Sequence, residues 1–354
     1  MRHVALTKVV HLTHSMDLRT GGVIEAVLRL DESLKSLGVE SLVSDDPKEP
    51  VKNPMHCIAH GLWQWPGIVA RKNFRSAGTP YLVFPHGMLD PWFKRTFPLK
   101  HLKKQVYWWL KQSKIMREAH AVCFTTEEER RLAQKTFWPY RCREIVTGLG
   151  VGDPPLDAES QTGKFLHQYP QLNDKKALLY LGRMHPKKGL DLLIRSFLRE
   201  KREGEILVLA GPLEPVDRHL SNLQQETKSH EDKILWTGML EGELKWGALR
   251  SANALILPSH QENYGMVVAE ALSVGTPVFL TDKVNLWREV VDAGAGFVAK
   301  DNQAGIDQLL ADWRADKHTG AREACISCFG EQLHIRNCSQ RIMDLLIESS
   351  EAKP

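Results

Sequence analysis

The chain has 354 residues, 42% of them hydrophobic and 25% charged, which suits two globular domains of roughly 150–180 residues each and excludes a disordered chain. Its formal charge of +4 is too mild to argue for nucleic acid, and no apolar run approaches the roughly 20 residues that a membrane-spanning helix needs. The first residues do not read as a secretory signal, and the six cysteines are too sparse for a disulfide framework or a zinc site, so the expectation is a cytoplasmic protein with reduced thiols.

In chain order, residues 4–13 are β-branched and apolar and read as a buried strand. A turn at Gly21 and Gly22 leads into a helix over 23–37, with Val23, Val27, Leu30 and Leu34 on one face and Gly38 closing it. Strands are expected at 39–43, 57–59, 81–84 and 143–146. A helix over 127–135 is expected to be capped by Thr125 or Thr126. The polar, proline-containing stretch from residue 150 holds the domain linker in its early part. The alternation then restarts. Strands are expected at 177–181, 205–210, 235–237, 254–257 and 277–280, and helices at 189–198, 243–250 and 265–274. Two such runs predict an α/β fold with two parallel-sheet, Rossmann-like domains, 1–152 and 153–334, and ligands at the carboxyl ends of the strands, in the cleft between them.

The most informative stretch runs from Pro258 to Pro277. A short polar loop carries Glu262, and a helix beginning near Gly265 carries Glu270. Eight residues of helix span about 12 Å, a length that suits the two ends of a nucleoside diphosphate sugar. Glu262 would meet sugar hydroxyls and Glu270 the ribose. The free amides of Met266 and Val267 would face phosphate, with Gly265 letting the backbone come close. Two acids alone would read as a solvated helix face. Here the helix is apolar nearly all round, and a carboxylate in that setting is costly unless paired.

A second strand-to-helix turn carries Arg183 and Lys188. Arginine offers a fork and lysine a point charge, and together they would stabilise a departing diphosphate. Standing alone, the pair would equally suit a basic surface loop. Gly21 and Gly22 form a weaker signal, without a full G-x-G-x-x-G pattern. His86 follows the 81–84 strand. It is placed to contact a donor sugar or polarise the reacting centre, although a lone histidine is more often structural.

Together these segments resemble the retaining glycosyltransferases of family 4, also called group 1, with the GT-B fold. Glu262 and Glu270 meet the E-x7-E signature, Arg183 and Lys188 the diphosphate pair, and Gly21 and Gly22 the N-domain loop. The Pro-His-Gly-Met and Thr125-Thr126-Glu127-Glu128 segments look like a bacterial subset. The resemblance implies that Glu262 lies by the sugar and Glu270 by the ribose. It implies that the backbone of Asn263, Tyr264, Gly265, Met266 and Val267 wraps sugar and phosphate, and that His86 lies near the sugar. It also implies that the base lies by Met239, in the 238–240 loop. The family works without a catalytic metal or other cofactor, and the chain shows no D-x-D pair to hold one. The implied reaction is front-side displacement with retention, onto a glycan or lipid-linked saccharide acceptor, in cell-surface polysaccharide biosynthesis. A helix near 335–354 would pack back on the first domain. The family's Pro-Asn-Gly-Val segment is replaced by 146–151, which leaves the hinge open. A sugar-nucleotide epimerase, a phosphorylase or a non-catalytic sugar-nucleotide or membrane-binding protein are the competing readings.

Residues 92–117 carry eight basic residues and no acid, mixed with Trp92, Phe93, Phe97, Tyr107, Trp108 and Trp109. The segment reads either as a peripheral contact with an anionic membrane surface or acceptor lipid, or as a helix with aromatics in the core and lysines in water. Aromatics at helical spacing argue against nucleic acid.

Overall fold

A computed structural model describes residues 8–17, 22–47, 54–200 and 202–351. The chain folds into two units, 1–152 with 333–354, and 153–332. In the first unit the elements are β1 (Lys8–Leu12), α1 (Gly22–Ser36), β2 (Glu40–Ser44), β3 (His56–His60), α2 (Trp65–Ala77), β4 (Tyr81–Phe84), α3 (Trp92–Thr96), α4 (Pro98–Tyr107), α5 (Ser113–Glu118), β5 (Ala121–Phe124), α6 (Glu127–Ala133) and β6 (Glu144–Val146). A π-helical turn, Trp108–Gln112, joins α4 to α5. All strand pairs are parallel, in the order β2-β1-β3-β4-β5-β6. The order reverses between β1 and β3, which opens a crevice at their carboxyl ends.

The second unit contains α7 (Ala158–Gln168), β7 (Lys176–Leu181), α8 (Leu190–Arg199), β8 (Glu205–Ala210), α9 (Arg218–Thr227), β9 (Ile234–Gly238), α10 (Gly242–Ser251), β10 (Ala254–Leu257), α11 (Met266–Ser273), β11 (Val278–Thr281), α12 (Trp287–Asp292), β12 (Gly296–Ala299), α13 (Gln303–Arg314) and α14 (Arg322–Cys328). Its strands are also parallel, in the order β12-β11-β10-β7-β8-β9. Counted from β7, this is the dinucleotide-fold order, and the switch point lies between β7 and β10.

The inner strands are short and buried on both faces, as expected for sheets covered by helices. All six residues of β8 are buried: five are apolar, and Glu205 is paired with Arg314 at 3.0 Å. Helix α6 is capped by Thr126, whose hydroxyl accepts from Glu129 N–H, the capping expected from sequence. Helix α15 (Ile335–Glu351) returns to the first unit. Its Cys338, Ile342, Leu345 and Leu346 join Val9, Leu30, Leu34, Ile58 and Phe84 in one core. Ser339 Oγ meets Ser33 Oγ at 2.7 Å beneath this helix.

Among the described residues no helix is long and apolar enough to cross a membrane. All six cysteines are free. Burial pushes the Cys325 and Cys328 thiols up to about 12, so neither is poised as a nucleophile.

Candidate active site

The two strands at the switch point of the second sheet each deliver one part of the site. After β7 the chain turns through Gly182 to Lys188 and re-enters helix α8. The turn is closed by Gly189, in the left-handed region at φ 67°. A side chain there is excluded twice over, because a Cβ would lie 2.2 Å from the Pro258 carbonyl oxygen. That contact presses the 183–188 turn against the loop after β10. His260 N–H donates to the Lys187 carbonyl at 2.7 Å across the same seam. The Tyr180 hydroxyl donates to the Arg183 carbonyl at 2.7 Å and holds the turn from below.

The loop after β10 carries Glu262. Its backbone is tied on both sides: Glu262 N–H donates to Lys283 O at 2.9 Å, and Asn285 N–H donates to Glu262 O at 3.1 Å. Helix α11 starts only at Met266, after Gly265 at φ 73°. Glu262 therefore lies off the helix, and the two acids are joined by loop and helix, not by eight residues of continuous helical rise. The first-turn amides of Met266 and Val267 have no partner within the helix. Tyr264 is buried, so its ring is not available to a ligand.

Lys188 Nζ and Glu262 Oε2 form an ion pair, with side chains 13% and 21% exposed. Arg183, His185, Lys187, Lys188, Gln261 and Glu262 line one open pocket of about 570 Å³. Three cations against one carboxylate suit a polyanion bearing hydroxyls. Burial and the charges of Arg183 and Lys187 lower the His185 imidazole below its usual range.

Glu270 stands apart from this group on α11. It is buried, and its Oε1 accepts from Lys245 Nζ at 2.8 Å. Lys245 lies on α10, and nothing in the sequence around it pointed to Glu270. Met239 follows β9 and is exposed. Gly22 opens α1, while Gly21 lies outside the described residues. Among the described residues no group of three or more His, Cys, Asp or Glu could hold a metal ion.

The first sheet presents a feature that motif reading did not single out. His11 on β1, His60 at the end of β3 and His86 after β4 form a chain at that sheet's switch point. His11 Nδ1 lies 2.9 Å from His60 Nε2, and His60 Nδ1 lies 3.0 Å from His86 Nε2. The rings stack at 5.2 and 5.3 Å between centroids. Burial lowers His11 and His86 to about 4 and His60 well below the imidazole range, so all three are neutral. A neutral chain has two proton directions. His11 Nε2 is buried without a partner, and an orphaned buried N–H is rarer than an orphaned acceptor. Protons then sit on Nδ1 of each ring, and His86 offers an Nδ1–H donor.

His86 itself has φ 50°, unusual for a residue other than glycine. The buried carboxylate of Glu129 holds that turn. Its Oε1 accepts from Gly87 N–H at 2.6 Å, and its Oε2 accepts from Thr125 N–H at 2.8 Å and the Thr125 hydroxyl at 2.6 Å.

Residues 164–325 match the family described as glycosyl transferases group 1, and residues 51–146 match a glycosyl transferase 4-like domain. An uncharacterized glycosyltransferase of Methanocaldococcus jannaschii is 29% identical over 147 residues, 40% of this chain and 37% of that protein. The chain spans between 27% and 37% of the length of the first curated relatives it matches. A sucrose-phosphate synthase from Thermosynechococcus elongatus superposes with TM-score 0.78 at 16% identity, over 98% of this chain and 100% of that one. HepE of Anabaena, solved in complex with UDP-glucose, superposes with TM-score 0.74 at 15% identity, over 96% and 99%. At such identities the two superpositions bear on the fold alone.

Proposed function

We propose that this chain, which belongs to the group 1 glycosyltransferases of GT-B fold, moves a sugar from a nucleoside diphosphate sugar to a hydroxyl of a glycan or lipid-linked saccharide. The observation that carries the reading is the meeting of Arg183, Lys188 and Glu262 at the switch point between β7 and β10, in front of α11. Dinucleotide folds bind their ligands at that point. That a neighbour of the same fold holds UDP-glucose is consistent with a uridine or guanosine diphosphate donor.

In this reading the diphosphate competes with Glu262 for Lys188. On binding, it draws the lysine and Arg183 to its oxygens. Glu262 is thereby released to accept from the sugar hydroxyls. Glu270, paired with Lys245, accepts from the ribose, with Met239 near the base. The acceptor oxygen attacks the anomeric carbon on the face that the diphosphate leaves. The C–O bond to phosphate breaks, the new C–O bond forms, and the leaving phosphate oxygen takes the acceptor proton. Configuration is retained, and no enzyme carboxylate acts as nucleophile, unlike in glycosidases. His86 Nδ1–H offers a neutral donor to the sugar. The reaction as written needs no metal. A lipid-linked acceptor of cell-surface polysaccharide biosynthesis would bring the enzyme to the inner face of a membrane, with the 92–117 segment at the headgroups.

Donor turnover with a panel of UDP- and GDP-sugars tests this. Arg183→Ala and Lys188→Ala are expected to lose on the order of 10²–10³-fold in turnover, because each removes a charge aimed at the leaving group. Glu262→Ala should lose turnover while nucleoside diphosphate still raises the melting temperature by mass action. Undiminished turnover in Glu262→Ala, or a melt that no nucleotide or sugar nucleotide shifts, would overturn the reading. Product with inverted anomeric configuration would overturn the mechanism alone.

A further inference from the structure

We infer that the outward face of α4 and the turn after it, together with Trp138, docks on an anionic lipid bilayer. Helix α4 has no buried residue and sets its apolar side chains outward. Its inner side sets His101 and Lys104 towards the core, and Trp108, in the following turn, is 1% exposed. Its outer side carries Leu99, Leu102, Val106, Trp109 and Leu110, one stripe at helical spacing. These face solvent, with Leu99 79%, Leu102 61% and Leu110 64% exposed. Trp138, 74% exposed, joins the stripe. Its carbonyl accepts from Trp109 Nε1 at 2.7 Å and from Gln105 Nε2 at 2.6 Å, which fastens the 138 turn to the helix.

Charge identifies the partner. Residues 92–117 hold eight bases and no acid, and among the described residues none of the eight forms an ion pair. Lys100 and Lys111 lie over the Phe97 and Tyr107 rings, and Lys103 and Lys114 are exposed. Lys104 is half-buried between the rings of Trp63 and Phe93, at 4.8 and 5.8 Å. An apolar stripe with a basic margin and indoles beside it is the make-up of a helix lying in the interface of an anionic membrane. A second copy of this chain would bring the same eight positive charges against themselves across a two-fold axis. Nucleic acid would find no use for exposed leucines. The inference rests on the peripheral reading for the side of the membrane it meets, and not on the donor site.

The test is flotation of the full chain with phosphatidylcholine vesicles, with and without phosphatidylglycerol, followed by intrinsic tryptophan emission. Wild type should float with the anionic vesicles only, and its emission should shift to the blue as Trp109 and Trp138 leave water. Leu102→Ser/Leu110→Ser should lose on the order of tenfold or more of this binding. Lys103→Gln/Lys111→Gln/Lys114→Gln should weaken it and flatten its salt dependence. All of these substitutions fall on exposed residues, so both variants should keep the wild-type melt. Should either fail to fold, Leu110→Asp alone takes its place with the same expectation of lost binding. Failure of folded wild type to float with anionic vesicles overturns the inference, as does undiminished binding by the leucine variant. So does a dimer that the leucine variant abolishes in the absence of any vesicle binding. A chain that floats but binds no sugar nucleotide overturns the donor reading and leaves this surface standing.

Discussion

Histidines at the switch point of the first sheet couple its stability to pH. An unfolded histidine takes its proton near 6.5, whereas His11 and His86 refuse theirs until about 4. These are depressed bases, so the unfolded state binds the proton that the folded state rejects. Stability is whole above pH 6.5 and is lost as pH falls from there towards 4, by about 1.4 kcal/mol per pH unit for each such ring. Urea denaturation of the first unit should therefore weaken between about pH 7 and about pH 5. His60→Gln, which cannot take up a proton, should reduce that slope. A stability unchanged over this range would show that the rings accept protons in place. The same rings would carry the Nδ1–H tautomer at His86, which nitrogen NMR reads directly. His11 and His60 escaped sequence reading for a physical reason. A single histidine on an apolar strand looks like a core residue, and only the adjacency of β1, β3 and β4 makes three of them a chain. Arg183, Lys188 and Glu262 were legible because each sits where a strand breaks into a helix, which the local pattern displays.

Where the chain leaves the first unit it also re-enters it, and the two passes touch. Val151 N–H donates to Leu333 O at 3.1 Å, and Ile335 N–H donates to Val151 O at 2.9 Å. Gly150 lies inside this crossing at φ 81°, and a Cβ there would meet Ile335 Cα at 2.5 Å. Backbone cannot swing aside as a side chain can. Gly150→Ala should cost roughly 2–4 kcal/mol by urea denaturation. Gly38→Ala is the control. Its φ is 84°, but a Cβ would meet nothing within 4 Å, so it should cost about 1–2 kcal/mol from backbone strain alone. Equal losses would mean that the crossing has slack. Elements of this kind divide by how they advertise themselves. Strands β4 and β10 are unbroken apolar runs, β8 is one after Glu205, and all three match the expected bounds to the residue. Helix α2 was not foreseen, because it faces its sheet with Pro66, Gly67 and Ala70, small residues that make no apolar stripe. Helix α7 lay in the polar stretch whose early part was read as the linker, and it escaped notice since it buries mainly Phe165 and Gln161. For 92–117 the reading as a helix with its aromatics in the core holds only for Trp108, while Leu99, Leu102 and Leu110 face water, a sorting set by tertiary contacts.

At the scale of the molecule, the two units hold separate cores, and the first borrows part of its own from the chain's far end. Ile342, Leu345 and Leu346 of α15 are buried against Leu30, Leu34 and Val9. Three such side chains contribute on the order of 5–9 kcal/mol by apolar burial. That is comparable with the roughly 5–15 kcal/mol that holds a whole domain together. The rest of the contact adds less. Arg143 reaches Glu348 with two hydrogen bonds of 2.7 and 2.8 Å, but both side chains are exposed, and such pairs contribute about 0–1 kcal/mol. Ending the chain after Gln332 should therefore unfold the first unit and spare the second, whose strands draw their cover from α10, α11, α12 and α13. Hydrogen exchange separates the outcomes. Amides of β1, β3 and β4 should lose protection, while those of β7, β8 and β10 keep theirs. If the first group stayed protected, α15 would be an ornament on that sheet and not a wall of its core. If both groups lost protection, the second unit would depend on the first for its stability, and the separation of cores would not extend to the energetics.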